Sequence, residues 1–274
     1  MTIKDNRPGA GAAGLSSEPI VLGRDGAIAT VTLNNPDKLN ALSFRMWMRL
    51  GEIMQELEAD VGVRCIVLRG AGGKAFAAGA DISEFEKVRT NARVAKDYGN
   101  KIEGTMRAVK ECRHPTVAMI HGVCVGGGLE IASQCDLRIC GASSRFGIPI
   151  NKLGLVVGYG EMAALIDLVG RATALEILLE GRVFGAAEAK EKGLVNRIVA
   201  DDQVETEALA AAARIAAGAP LVARWHKKFA RRLADPRPLT EAERDEGYAC
   251  FDTEDYRIGF NAFLAKQKPQ FKGK

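Results

Sequence analysis

The sequence predicts an α/β core followed by a helical C-terminal region. Up to about residue 200, short apolar runs typical of strands alternate with segments in which apolar residues recur at helical spacing. From about Gly160 onward the pattern is helical, apart from one strand at 193–200. The strands often come in pairs before each helix, which differs from the simple alternation of a doubly wound fold.

The first half of the core begins with two strands and a turn. In PIVLGRDGAIATVTLNNP (19–36), an Asp-Gly dipeptide between two apolar runs predicts a hairpin. Apolar residues between 42 and 57 then recur near helical spacing. RCIVLRG (64–70) predicts a short buried strand, KAFAAGADISEF follows it, and a long helix is predicted from about 93 to 110.

The second half of the core repeats this alternation with shorter segments. HPTVAMIHGVCVGGG (114–128) predicts a strand and a turn, LEIASQC (129–135) begins a helix, and DLRICGASSRFGIP (136–149) predicts two more short strands. Beyond residue 201, the Ala-rich segment ETEALAAAARIAAGAP and three further stretches predict helices.

Length and composition fit one large domain, or one domain with a smaller appendage. The chain has 274 residues, of which 47% are hydrophobic, so it can bury a substantial core. We divide it into a Gly/Ala/Ser-rich disordered leader (1–17), a core (18–200) and a helical region (201–274).

Charge and hydropathy exclude several classes of protein. The 38 Lys and Arg residues are mixed with 34 Asp and Glu residues, whereas a nucleic-acid-binding protein normally has a basic stripe. No apolar stretch approaches the roughly 20 residues of a membrane helix, and the first residues lack the apolar segment of a secretory signal. These observations predict a cytoplasmic protein with no nucleic-acid or membrane partner.

Cysteine and histidine patterns give no sign of a metal site. None of the six cysteines belongs to a CxxC pair, which predicts small buried hydrophobic residues in a reducing compartment. The three histidines show neither HExxH nor any other paired-ligand spacing. No metal and no cofactor is therefore predicted.

The stretch GVCVGGGLEIA (122–132) places three consecutive glycines two residues before Glu130. It fits neither GxGxxG nor GxxxxGK[ST], the patterns of nucleotide phosphate sites. Glycine can instead let a substrate atom reach a backbone N–H at a helix N-terminus, where that N–H stabilises a developing oxyanion. An oxyanion hole needs two donors, and FAAGADI (76–82) is the candidate for the second. The alternative is that the glycines only permit close packing and Glu130 complements the helix dipole.

Several separated motifs together resemble the crotonase superfamily of enoyl-CoA hydratases and isomerases. The motifs are AFAAGADISEF, HGVCVGGGLEIASQCDLRI and EDYRIGFNAFLAKQKPQF, supported by LNNPDKLNALS and GLVNRIV. They occur in the right order and cover about residues 18–272. The resemblance implies a spiral of ββα turns with a C-terminal helical trimerisation region, assembled into homotrimers or dimers of trimers. It also implies that the substrate is a coenzyme A thioester, as in fatty acid metabolism.

The resemblance also assigns roles to individual positions. Ala80 and Gly127 would donate their N–H groups to the thioester oxygen, and Glu130 matches the first of two catalytic glutamates. Lysines suit phosphate groups as charge partners. The positions that match CoA contacts are Lys38, Lys74, Ala78, Asp81 and Ile82, with Lys266 reaching the ligand of a neighbouring subunit. Ser83 stands where members of the family often have a further lysine.

The chain departs from the hydratase pattern at the second glutamate. That residue would follow the proline in FGIPINKLG, where this chain has Ile150, which can neither accept nor donate a proton. Hydration of simple enoyl-CoAs is therefore expected to be slow. The nearby loop LVVGYGEM contains Glu161, which is either a substitute carboxylate or an ordinary acidic residue in the first turn of a helix.

Three functions stay open at this point. The first is a lyase of the hydratase/isomerase type that works through Glu130 alone. The second is a decarboxylase, because PIN followed by Tyr159 is similar to the pattern of methylmalonyl-CoA decarboxylases; the apolar wall that this reaction needs would come from Ile148, Ile150 and Val156. The third is an acyl-CoA-binding protein with little catalysis.

Overall fold

The computed structural model describes residues 18–274 in two sheets surrounded by helices. The predicted leader at 1–17 lies outside the described residues. The large sheet has the strand order β1-β2-β3-β5-β7-β10, and the small sheet has the order β4-β6-β8-β9. The strands are β1 (Ile20–Asp25), β2 (Ile28–Leu33), β3 (Cys65–Gly70), β4 (Ala75–Ala77), β5 (Thr116–Ile120), β6 (Val123–Val125), β7 (Leu137–Gly141), β8 (Arg145–Gly147), β9 (Phe184–Gly185) and β10 (Arg197–Val199).

Ten α-helices accompany these strands in the described part of the chain. Three short 3-10 helices, at 36–38, 82–84 and 149–153, contain the predicted site residues Lys38, Ile82 and Ile150. The helices are α1 (Phe44–Ala59), α2 (Phe85–Val88), α3 (Ala92–Glu111), α4 (Gly127–Gln134), α5 (Tyr159–Glu180), α6 (Ala186–Glu191), α7 (Val204–Ala217), α8 (Pro220–Arg232), α9 (Glu241–Glu246) and α10 (Glu254–Leu264).

After the first pair, β1 and β2, the paired strands before each helix belong to different sheets. β3, β5 and β7 join the large sheet side by side and in parallel, while β4, β6 and β8 join the small sheet in parallel. A helix follows each pair, so the core is a spiral of ββα turns. The predicted hairpin is confirmed: β1 and β2 pair antiparallel around Gly26, whose φ of +54° suits glycine.

The main core fills the space between the sheets and helices α1 to α5, with Trp47, Phe76 and Phe146 among its largest buried side chains. A second, smaller cluster lies on the other face of the large sheet, where α7 packs Val204 and Ala208 against β3, β5 and β7. The first helix of the predicted 201–274 region thus covers the sheet. The division of the chain at residue 200 stays a prediction.

The helix predicted over about 93–110 is observed as α3, and the three helices predicted after the Ala-rich segment are α8, α9 and α10. The long C-terminal stretch is less uniform than its pattern. α5 is interrupted at Gly170, which has φ +75° and ψ 160°, and the strand predicted at 193–200 is shortened to β10. Apolar periodicity predicts neither the interruption of α5 nor the shorter strand, because the first depends on a single glycine and the second on a turn before β10.

Within residues 18–274, no single helix is long and apolar enough to cross a membrane. α8 and the 201–217 segment before it meet the length and composition criterion only as a pair bent by 105°. All six cysteines are free thiols, and five of them are buried, as their apolar surroundings predicted.

Candidate active site

The turn after β4 is fixed by the segment that precedes α1. Leu42 N donates to Gly79 O at 2.7 Å, and Asp81 N donates to Leu42 O at 2.9 Å. In this parallel pairing, the N–H of the intervening Ala80 points away from Leu42. Ala80 N has no backbone or side-chain acceptor among residues 18–274. The turn after β4 therefore leaves the N–H of Ala80 without an acceptor in the described chain.

A buried asparagine keeps this turn in place. Asn40 is fully buried with φ +56°, and its Nδ2 donates to Ala71 O at 3.0 Å and to Ala75 O at 2.8 Å. Its Oδ1 accepts from Asn35 N at 3.0 Å. An asparagine tolerates the left-handed conformation and satisfies its own polar atoms here. This explains physically why the LNNPDKLNALS motif is part of the site's scaffold.

Each of the three consecutive glycines meets a different constraint. Gly126 caps α4 with φ +53° and ψ −126°, a conformation that L side chains rarely adopt. A Cβ on Gly127 would lie 3.0 Å from Trp47 Cζ2 and 3.3 Å from Leu42 Cδ1. A Cβ on Gly128 would overlap the carbonyl oxygen of Ala77.

The two glycine turns lie directly against each other. A Cβ built on Gly79, which has φ +105°, would be 3.7 Å from Gly127 N and 3.4 Å from Val125 O. Gly127 N is the first amide of α4 and has no acceptor within the described chain. Two unpaired N–H groups, of Ala80 and Gly127, therefore flank the point where the turns meet. The glycines thus permit close packing and also leave two N–H groups without acceptors, so the two interpretations do not exclude each other.

Glu130 lies one helical turn after this point and is partly buried. Its carboxylate makes no hydrogen bond or ion pair with residues 18–274. Burial, followed by the negative charge of Glu161, raises the pKa of Glu130 to about 7, and the positive charge of Arg89 opposes this increase. A carboxyl with this pKa exchanges protons near neutral pH, as general acid–base catalysis requires.

Glu161 occupies the third position of α5, as an acidic residue of a first turn. Its carboxylate folds back over Gly158, the N-cap residue, and a Cβ on that glycine would overlap Glu161 Oε2. Its charge nevertheless acts on Glu130, so the two carboxylates share one region of the molecule. The sequence alone left this arrangement open.

Arg89 is a third charged group of this region, and sequence reasoning missed it. Its guanidinium carbon lies 4.4 Å from the ring centre of Phe85 and 5.1 Å from that of Tyr98, distances typical of cation–π contacts. Its Nε is buried without a hydrogen-bond partner. Tyr98 also packs on Phe44 with 5.7 Å between ring centres. No motif marks Arg89, because its significance depends on α2 and α3 bringing two aromatic rings together.

Two of the predicted CoA contacts are bound to each other. Lys38 Nζ forms an ion pair with Asp81 Oδ2 at 2.7 Å, and the Ser83 hydroxyl donates to Asp81 Oδ1 at 2.6 Å. The Lys38 ammonium, followed by Ser83, lowers the pKa of Asp81. Lys74 and Ile82 are exposed, while Ala78 donates its N–H to Leu39 O at 3.0 Å.

The segment that leads from β8 into α5 contains the remaining predicted residues. Ile150 is partly buried and packs on the main core, and the neighbouring Asn151 donates to Leu179 O at 2.9 Å. Tyr159 is 95% exposed and Val156 is 89% exposed. Both side chains are open to solvent, no hydrogen bond in the described chain links Tyr159 to Glu130, and its predicted catalytic role stays a prediction.

Lys266 follows the end of α10 with φ +55° and is exposed. No hydrogen bond or ion pair of its side chain connects it to the other site residues in the described part of the chain. Residues 18–274 contain no group of three or more His, Cys, Asp and Glu side chains arranged to hold a metal ion.

Comparisons with known proteins find relatives along almost the whole chain. The sequence profile of the family described as enoyl-CoA hydratase/isomerase matches residues 23–274. A protein from Rhizobium meliloti (strain 1021), described as a probable enoyl-CoA hydratase, is 37% identical over 261 residues. These residues are 94% of this chain and 99% of the relative.

Solved structures extend the similarity to the fold. An enoyl-CoA hydratase/carnithine racemase from Magnetospirillum magneticum is 52% identical, with a TM-score of 0.93 over 94% of this chain and 97% of that chain. A putative enoyl-CoA hydratase/isomerase family protein from Hyphomonas neptunium is 36% identical, with a TM-score of 0.89 over 93% and 98% of the two chains. Each similarity covers more than nine-tenths of this chain, so it includes both the core and the helical C-terminal region.

Proposed function

We propose that this protein adds water across the C2=C3 double bond of an enoyl-CoA. The chain belongs to the enoyl-CoA hydratase/isomerase family of the crotonase superfamily. One observation supports this reaction above the others. Glu130 follows the unpaired Gly127 N–H by one helical turn. Its carboxyl has a pKa of about 7, which burial and the negative charge of Glu161 raise. A proton carrier, a second carboxylate and an oxyanion donor are thus present together.

In this mechanism, Ala80 and Gly127 donate their N–H groups to the thioester oxygen. When the oxygen of water attacks C3, the electrons of the double bond move toward that oxygen and form an enolate. The donors stabilise the new charge, and the loss of one such donor costs roughly 3–4 kcal/mol of barrier in other enzymes. C2 then takes a proton, which restores the thioester carbonyl and completes the addition of H and OH.

Protons move through the two carboxyl groups. A carboxylate accepts one proton from the attacking water, and a carboxylic acid gives one proton to C2. With a pKa raised to about 7, Glu130 can take part in either transfer near neutral pH. Glu161 supplies the second carboxylate in place of the glutamate that Ile150 replaces. This assignment revises the expectation of slow hydration, which depended on Ile150 alone.

For the CoA moiety, we propose that Lys74 is the main phosphate contact. Lys38 already forms an ion pair with Asp81, whereas Lys74 is exposed and has no ion pair within residues 18–274. Ala78 and Ile82 flank this edge beside the Ala80 turn, and the contact of Lys266 with a neighbouring subunit's ligand stays a prediction. A homotrimer or dimer of trimers is supported by exposed aromatic residues of the C-terminal region, namely Phe251, Phe260 and Phe263.

The test is product analysis with crotonyl-CoA in water enriched in ¹⁸O and, separately, in D₂O. The proposal predicts 3-hydroxybutyryl-CoA with one solvent oxygen at C3 and one deuterium retained at C2. A shifted double bond without added oxygen would identify an isomerase instead. Tight binding of the thioester without any product would favour an acyl-CoA-binding protein.

A further inference from the structure

Arg89 is a charged side chain without a charged partner. In residues 18–274, its guanidinium forms no ion pair with a carboxylate, and its buried Nε donates no hydrogen bond. Two aromatic faces, those of Phe85 and Tyr98, hold the group instead. A partly buried guanidinium with an unused donor edge has an energetic deficit that an anion can remove.

The chain itself shows how a structural arginine differs. Arg138 is buried like the core around it, and its nitrogens donate to the carbonyl oxygens of Leu194, at 2.8 Å, and of Cys135, at 2.5 Å. Its positive charge is thus surrounded by acceptors of this chain. Arg89 is held by aromatic rings instead of carbonyl oxygens, and its Nε has no acceptor within residues 18–274.

Arg89 is close enough to Glu130 for its charge to act on that carboxyl. It follows α2 in the segment that leads from Ala80 to α3, and α3 packs against both α4 and α5. Its charge lowers the pKa of Glu130, the residue closest to the reacting carbons in the proposed mechanism. The nearest acid before α2, Glu84, is engaged elsewhere, because its carboxylate accepts from Phe44 N at 2.6 Å.

We infer, on the basis of the proposed function, that the natural acyl group carries a second carboxylate and that Arg89 binds it. The substrate class is thus the CoA monothioester of a dicarboxylic acid. A planar guanidinium offers paired N–H donors, which match the two oxygens of a carboxylate. An ion pair of this kind stabilises the carboxylate, so the group serves to position the substrate and is kept in the product.

The experiment uses calorimetry with saturated, unreactive thioesters in matched pairs of equal chain length. Succinyl-CoA is paired with butyryl-CoA, glutaryl-CoA with valeryl-CoA, and adipyl-CoA with hexanoyl-CoA. The proteins are the wild type, Arg89→Gln, Arg89→Lys and Lys87→Gln. Lys87 is an exposed cation of α2, the short helix that ends just before Arg89. Lys87→Gln therefore removes an equal charge at a position outside the proposed site.

The inference predicts that one acidic thioester binds the wild type about 10- to 100-fold more tightly than its neutral partner. In Arg89→Gln that ratio falls toward one, Arg89→Lys keeps part of it, and Lys87→Gln keeps all of it. Equal affinity for every pair in the wild type would overturn the inference while leaving the proposed function intact. Equal weakening of free CoA by Arg89→Gln would also overturn it, since Arg89 would then contact the CoA moiety. If no thioester binds at all, both proposals fail.

Discussion

The two walls of the proposed site are built from different parts of the chain. On one side, Gly79, Ala80 and the glycines at 126–128 offer backbone N–H groups, and buried neighbours such as Trp47 leave little room for side chains. On the other side, residues 150–161 offer side chains, and Val156 and Tyr159 are almost fully exposed. The first wall is fixed by covalent geometry and packing, whereas the second depends on which side chain turns inward.

This difference explains why the two walls have different chemical consequences. A backbone donor does not depend on the identity of a side chain, because glycines and pairing with a neighbouring segment set its direction. A carboxylate can move along the chain if another position faces the same space. In this protein, Ile150 stands where the second glutamate was expected, and the charge of Glu161 acts on Glu130 from the start of α5.

The strongest disturbance of the site is expected from Glu130→Gln. Because glutamine cannot transfer a proton, hydration should fall about 10³- to 10⁴-fold, measured as kcat/KM with crotonyl-CoA. Lys96→Gln, an exposed change on α3, provides a surface control. A loss of less than tenfold would remove Glu130 from the mechanism.

The same variant has a predicted effect on stability. Glu130 has a folded-state pKa of about 7 against a usual value of 4.5, so the folded protein holds a proton that the unfolded chain releases. The free energy of unfolding of the wild type should therefore fall as pH rises from about 4.5 to 7. Glu130→Gln should flatten this dependence and be more stable at pH 8, by up to about 3 kcal/mol. Denaturant titrations at several pH values measure both effects.

The backbone wall is broken by Gly79→Ala. Its Cβ would project toward Gly127 N, and φ of +105° strains any L residue, so kcat/KM should fall about 10²- to 10³-fold. Gly26→Ala is the matched control, because Gly26 also has a positive φ but open space and a place in the distant hairpin. Equal activity losses in the two variants would mean that strain, and not the donor wall, limits the rate.

The side-chain wall is tested by Glu161→Gln, with an expected loss of about 100-fold in kcat/KM. Removal of this negative charge should also lower the pKa of Glu130, so the ionisation near 7 in the pH–rate profile should move to lower pH. If a carboxylate missing at position 150 limits the rate instead, Ile150→Glu raises hydration and Glu161→Gln changes little.

The smallest effect is expected from Tyr159→Phe. Since the Tyr159 side chain is 95% exposed, loss of its hydroxyl should change kcat/KM for hydration by less than about twofold. Release of CO₂ from methylmalonyl-CoA by the wild type, abolished in Tyr159→Phe, would support the decarboxylase alternative and contradict this prediction.

The sequence predicts the backbone wall better than the side-chain wall for a physical reason. Glycines at Gly79 and Gly126 have positive φ, so their identity records local geometry directly. Glu161 and Arg89 carry no such local record, because their relation to Glu130 arises only when α3, α4 and α5 pack together. Exposure of Tyr159 was equally invisible, since its position in the chain beside a matched motif says nothing about where its ring points.

In the proposed site, the amides of Ala80 and Gly127 bind one thioester oxygen, and a crystal structure with butyryl-CoA bound would show whether they do. This oxygen should lie about 2.7–3.2 Å from both Ala80 N and Gly127 N, with C3 beside Glu130. An oxygen that contacts neither amide, or a ligand seated elsewhere on the molecule, would contradict it.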